Sequence, residues 1–335
     1  MSGAPSTPPR SRGRGLRVFS FGVPLALGLS LALVLTVRGE GPPSAEEWAV
    51  EAPLAPKSLL LDVAARDGRM VAVGERGHIL VSEDGGKGWT QAKVPTHALL
   101  TGVFMHDRQL GWAVGHDQVV LRTTDGGRTW ERVYYAPEKE RPLLDVWFAD
   151  AQRGLALGAY GELLATRDGG RTWEPRRVNE GDDFHLNHVA VARDGAVYVA
   201  AEAGRLYRSD DRGETWQTLT SPYQGSFFGV LPLSDGQLLA FGLRGHLYRS
   251  SDKGATWMPV ETGTEETLTC ALELGPRRYV VGGMAGTLLW SAGDGAAIRK
   301  QELPDRKAIV ALAAADDRTL VLFGEGGANR IEIPR

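Results

Sequence analysis

A single cysteine, Cys270, occurs in 335 residues, so no disulfide can form within the chain and its stability must come from packing. Cys270 lies in the apolar run TLTCALEL, where a small buried filler fits better than a nucleophile. Acidic residues are missing from the first 17 positions, which carry Arg10, Arg12, Arg14 and Arg17. Charge of either sign is missing from residues 18–37, VFSFGVPLALGLSLALVLTV. Basic excess is missing too. The chain has 38 Lys and Arg against 41 Asp and Glu, and setting aside the four N-terminal arginines leaves a body at −7. An acidic body argues against a general nucleic-acid binder.

Twenty mostly apolar residues match the thickness of a bilayer core at ~1.5 Å per residue, whereas the apolar part of a cleaved signal is usually ~7 to 15 residues. No clear small-residue cleavage pattern follows Val37 (RGEGPPSAEEW). The expected organisation is a basic cytoplasmic segment (1–17), a transmembrane signal-anchor or signal peptide (18–37), a linker (38–46) and an exported body (47–335). The body would then be in the cell envelope, on the periplasmic or extracytoplasmic side.

Within the body a period of 41 to 43 residues dominates. Five segments read SEDGGKGW, TTDGGRTW, TRDGGRTW, SDDRGETW and SSDKGATW, with aspartates Asp84, Asp125, Asp168, Asp211 and Asp252 and tryptophans Trp89, Trp130, Trp173, Trp216 and Trp257. A Gly-x-x-Gly turn precedes each box at Gly74/Gly77, Gly158/Gly161, Gly242/Gly245, Gly283/Gly286 and Gly324/Gly327, with Gly115 and Gly204 keeping half of it. That makes seven repeats, the sixth with a decayed box (SAGDGAAI) and the seventh ending at GEGGANRIEIPR. Short apolar runs such as MVAVG and LLAFG between turn residues read as four strands per repeat, a to d from the inside outward. The predicted fold is an all-β, seven-bladed propeller with Asp-box turns. Trp48 precedes Trp89 by 41 residues and opens WAVEAPL, which is expected to supply the missing strand d of the last blade.

The Asp-box needs no ligand to account for it. Its aspartate can accept the N–H groups of its own turn, its glycines admit positive φ, and its tryptophan can cover the sheet edge. The full EF-hand spacing is absent, so no metal is assigned and no cofactor is expected.

Boxes of the form DGGRTW, preceded by Gly-x-x-Gly in seven units behind an export segment, resemble the photosystem II stability/assembly factor family, over about residues 47–335. That resemblance implies a propeller scaffold, in the thylakoid lumen or periplasm, that binds a membrane-protein assembly intermediate. Sialidases share the Asp-box, but a sialidase-like arginine triad, tyrosine nucleophile and Arg-Ile-Pro signature cannot be placed. Tyr207 and Tyr248 stand where Leu80, Leu164 and Leu289 stand in other repeats, which suits packing. Asp62 and Asp145 fall on inner strands and could pair across the channel as glycosidase carboxylates, or simply bind channel water. His185 and His188 could form a metal pair, yet lack a third spaced ligand.

The antiparallel order puts Asp-box and a-to-b turns on one face, and Gly-x-x-Gly turns with d-to-a loops on the other. The second face varies more, as a recognition surface must. Candidate binding residues are Arg76, His116, Tyr160, His185, His188, Phe227 and Arg244, combining arginine with aromatics. The function expected is a non-enzymatic, membrane-tethered scaffold that assists assembly or stability of a membrane-protein complex. Its partners would be that complex and the membrane through its own anchor, with no nucleic acid and a monomeric state. A glycan-binding or glycoside-hydrolysing Asp-box enzyme and an accessory or sensor module of an envelope transport system are the alternatives.

Overall fold

The computed structural model describes residues 48–66, 68–291 and 297–334, all within one compact unit, Gly39–Arg335. The expected basic segment, membrane span and linker lie outside the described residues, as does the centre of the sixth box. No helix among the described residues is long and apolar enough to cross a membrane.

The strands form seven antiparallel sheets in chain order. Blade one sets the pattern with strand a at Leu60–Arg66, b at Arg69–Gly74, c at Ile79–Ser82 and d at Thr90–Gln91. Strand a of blade seven (Ile309–Asp316) lies against strand a of blade one and closes the ring. Strand b is buried on both faces in blade after blade (RMVAVG, GWAVG, GLALG, VYVAA, LLAFG) because neighbouring sheets cover both of its sides. The core is therefore a set of seams between blades. At the closing seam, Phe323, Val321 and Ala313 of blade seven pack with Leu60, Met70 and Leu80 of blade one.

The expected clasp takes a different form. Blade seven has three strands, and Trp48–Leu54 forms no strand. Instead Ala49 N–H bonds Val94 O (3.0 Å), and the Gln91 side chain takes Ala52 N–H and gives to Val50 O (both 2.9 Å), which ties this segment to blade one. Gln91 offers an amide that satisfies two backbone groups without a strand ladder. Closure on blade seven comes from the next turn, where Pro56 O accepts Ala328 N–H at 2.9 Å and Ala55 is buried in the seam.

Candidate recognition face and channel

The two faces are built by two repeating turns. On the first, each Asp-box reuses one hydrogen-bond set. In blade three, Asp168 Oδ1 accepts Arg171 N–H, Thr172 N–H and the Thr166 hydroxyl (each 2.9 Å), and Oδ2 accepts the Thr172 hydroxyl (2.6 Å). Blades two, four and five repeat the Thr contact through Thr129, Thr215 and Thr256. Blade one has Gly88 there, so Asp84 lacks that hydroxyl and keeps the bonds from Lys87, Gly88 and Ser82. The Thr256 hydroxyl and N–H, with Ser250, hold the Asp252 carboxyl down at about 2. Partial burial pushes Asp125, Asp168 and Asp211 upward, yet the same bonds together outweigh it and keep all three below the usual carboxylate range. The Gly88 N–H leads the bonds that lower Asp84. Trp130 and Trp173 each close their own turn by donating Nε1–H to Gly127 O and Gly170 O (3.0 Å). In blades two to five both oxygens of this aspartate accept bonds from within the turn, whereas Asp84 uses only Oδ1.

On the opposite face, the residue after the first glycine donates its N–H to the residue just before its own inner strand: Glu75 to Leu59, His116 to Leu99, Ala159 to Pro142 and Leu243 to Ser226. The second glycine is forced by close approach, because a Cβ on Gly77 (φ +71) would sit 2.0 Å from Thr96 O. Arg76, Tyr160 and Arg244 all occupy the left-handed apex of these turns, at φ 55, 56 and 54, and all three are exposed. His116 is also exposed, one residue before its apex. Side chains at these positions are lifted off the sheet, and they differ from blade to blade.

The seven candidate residues thus divide. Tyr160 and His185 come together, their rings 4.9 Å apart, and His185 Nδ1 lies 2.8 Å from Glu202 Oε2. Beside them Arg205 stacks over Phe184 at 5.3 Å. Arg244 lines an open groove of about 940 Å³ with His246, Tyr248, Glu261 and Glu265. Phe227 is not on the surface: it is fully buried against Tyr223 and Tyr248, because it starts an inner strand and fills the seam. His188 does not join His185, since a strand register shift at Leu186/His188 turns it into the channel. Tyr207 and Tyr248 are buried packing residues, Tyr207 donating to Asp182 Oδ2 at 2.9 Å.

Asp62 and Asp145 line the channel, as their inner-strand positions imply, and there they bond backbone N–H groups of the next blade. Every inner strand begins with a register shift that skips one residue, and the residues at or just after it reach the next blade. Asp62 accepts Val63 N–H and Val103 N–H of blade two (both 2.8 Å). Asp145 accepts Val146 N–H (2.7 Å) and Val189 N–H of blade four (2.9 Å). Thr101 donates to Leu143 O (2.7 Å), Asn187 to Phe227 O (2.8 Å) and Thr269 to Ile309 O. Five of the seven seams are therefore stapled at the axis. The only signal in the sequence was that these polar residues recur with the box period. Protein surrounds both carboxylates, although they still line a lumen of about 420 Å³. Burial raises both well above the ordinary range, and for Asp62 the neighbouring Asp145 charge adds to it. Burial lowers His188, whose Nδ1 meets no partner, and raises the Cys270 thiol to about 12, which leaves it a poor nucleophile. Among the described residues no group of three or more His, Cys, Asp or Glu could hold a metal ion.

Seven four-stranded or three-stranded sheets around an axis, with structural Asp-boxes on one face and variable turns on the other, define a seven-bladed Asp-box β-propeller. The family described as Photosynthesis system II assembly factor YCF48 matches residues 42–140 and 135–268, and the chain belongs to it. Over 166 residues it is 31% identical to Photosystem II assembly protein Ycf48 of Synechococcus sp. (strain JA-2-3B'a(2-13)), covering 45% of this chain and 46% of that protein. Over 106 residues it is 30% identical to Photosystem II stability/assembly factor HCF136, chloroplastic, of Oryza sativa subsp. japonica, covering 29% of this chain and 25% of that one. The chain thus matches between a quarter and just under half the length of these curated relatives. A solved structure titled "YCF48 bound to D1 peptide" superposes with a TM-score of 0.69 at 17% identity, over 88% of this chain and 100% of that one, which is a likeness of fold.

Proposed function

We propose that this protein is an exported, membrane-tethered scaffold that binds a segment of a membrane protein and assists assembly or stability of the complex it belongs to. Family membership supports an assembly role, and a structural neighbour, YCF48 bound to D1 peptide, points to a polypeptide partner. The observation that carries most weight is the contrast between the faces. Asp-box aspartates take most of their hydrogen bonds from within their own turns, whereas the opposite face lifts Arg76, His116, Tyr160 and Arg244 into solvent. On this reading the site is Arg76, His116, Tyr160, His185 and Arg244, with the anchor at 18–37 holding that frame in the envelope, or in the thylakoid lumen of a photosynthetic host.

A binding role, rather than glycoside hydrolysis, is favoured by the use of Asp62 and Asp145. Each spends both oxygens on backbone N–H groups of two blades, a seam-holding arrangement. Capture from native membranes tests the proposal. The wild-type chain should retain a membrane-protein complex that Arg76→Glu/Arg244→Glu loses, most visibly at low salt. Equal capture by both, or turnover of a glycoside panel that disappears with Asp145→Ala, would refute it.

A further inference from the structure

The outer edge of blade seven is open among the described residues. Its strand c, Asn329–Glu332, pairs with strand b so that Leu320 faces Ile331 and Val321 faces Arg330. Ile333 N–H points inward to Arg318 O (2.8 Å), so alternation turns the backbone groups of Ala328, Arg330 and Glu332 outward. The Ala328 N–H is taken by Pro56 O at 2.9 Å. At the other end Pro334 has no N–H to offer. Between these stops, Arg330 and Glu332 present N–H and C=O groups to no strand among the described residues. Arg330 Nη1 is also enclosed without a hydrogen-bond partner.

We propose that this edge pairs with the same edge of a second copy, antiparallel, across a two-fold axis at Ile331. Centred there, Arg330 stands opposite Glu332 of the second copy, and Glu332 opposite its Arg330. Each such pair exchanges two backbone hydrogen bonds and sets opposite charges side by side. The Arg-Ile-Glu triplet is complementary to itself, and an interface of this kind uses one patch twice. Pairing outside the triplet is blocked by Pro56 on one side and Pro334 on the other, which fixes the register. So short an edge gives a weak dimer, with a dissociation constant on the order of micromolar.

Sedimentation velocity on the purified full chain in detergent tests the pairing between about 1 and 100 µM. The protein mass should rise from one chain toward two, with Glu332 amide exchange slowing in parallel. Arg330→Glu places like charges opposite one another at both positions and should weaken association about tenfold. Arg330→Glu/Glu332→Arg restores the complement and should return association to near wild type, although both variants lose the attraction between Arg330 and Asp316 and should melt equally below wild type. A one-chain mass over the whole range would overturn the proposal, as would a double variant no better than the single one. Protection of Glu332 that appears only on adding a membrane extract would assign the edge to another polypeptide and equally overturn it.

Discussion

Asp168→Ala should destabilise the propeller without touching recognition. The substitution removes a carboxylate that accepts two N–H groups and two hydroxyls within its own turn. At about 0.5–1.5 kcal/mol net for each bond, and with water able to replace some of them at a half-exposed turn, the cost is about 2–3 kcal/mol. For a propeller of this size that lowers the melting temperature by about 3–5 °C. Two companions calibrate the estimate. Thr172→Val removes only the 2.6 Å hydroxyl bond and should cost about 1 kcal/mol. Asp84→Ala should cost less than Asp168→Ala, because Gly88 leaves Asp84 without that hydroxyl. Thermal unfolding followed by circular dichroism gives the order Asp168→Ala, Asp84→Ala, Thr172→Val, from most to least destabilised. A melting curve for Asp168→Ala within about 1 °C of wild type, with capture of the membrane partner lost, would show that the box is a contact and the reasoning is wrong.

Stability should fall as pH rises above the ordinary carboxylate range through the channel pair, since burial raises Asp62 and Asp145 and the folded state prefers them protonated. The pair's contribution is complete below the unfolded value and lost as pH passes the folded one; Asp145→Ser should flatten that slope in pH-resolved melting. The Asp-box carboxylates act oppositely, stabilising above their ordinary range and losing that as pH drops toward about 2, the value for Asp252. Gly77→Ala should cost about 3 kcal/mol or more, because its Cβ would lie 2.0 Å from Thr96 O at positive φ; a chain that melts normally would contradict the turn geometry. Deleting residues 48–57 should expose the blade seven–blade one seam and lower both melting temperature and solubility, whereas deleting 48–54 alone should cost less, since Pro56 makes the bond to Ala328.

Most of the fold was legible because its determinants are local and repeated. The Asp-box writes its hydrogen-bond set into eight consecutive residues, Thr166 to Trp173 in blade three, so the turn could be derived from one box alone. The faces followed from strand parity. What was not legible depended on register. Phe227 and Phe228 are adjacent in sequence, yet a shift in the inner strand sends the first into the core and the second into the channel. The same shift separates His185 from His188. The clasp failed for a related reason: the Trp48–Trp89 spacing is correct, but spacing does not reveal that Gln91 satisfies Val50 and Ala52 through its side chain. Tyr160 and His185 were each chosen as binding residues, but only the fold brings them together.

The central claim is that recognition belongs to the face of the Gly-x-x-Gly turns. Hydrogen exchange of the partner-bound chain against the free chain tests it directly. Slowed exchange at the turns around Arg76, Tyr160 and Arg244 and in residues 179–185, with the Asp-box turns unchanged, is the predicted result; protection confined to the Asp-box turns would contradict it.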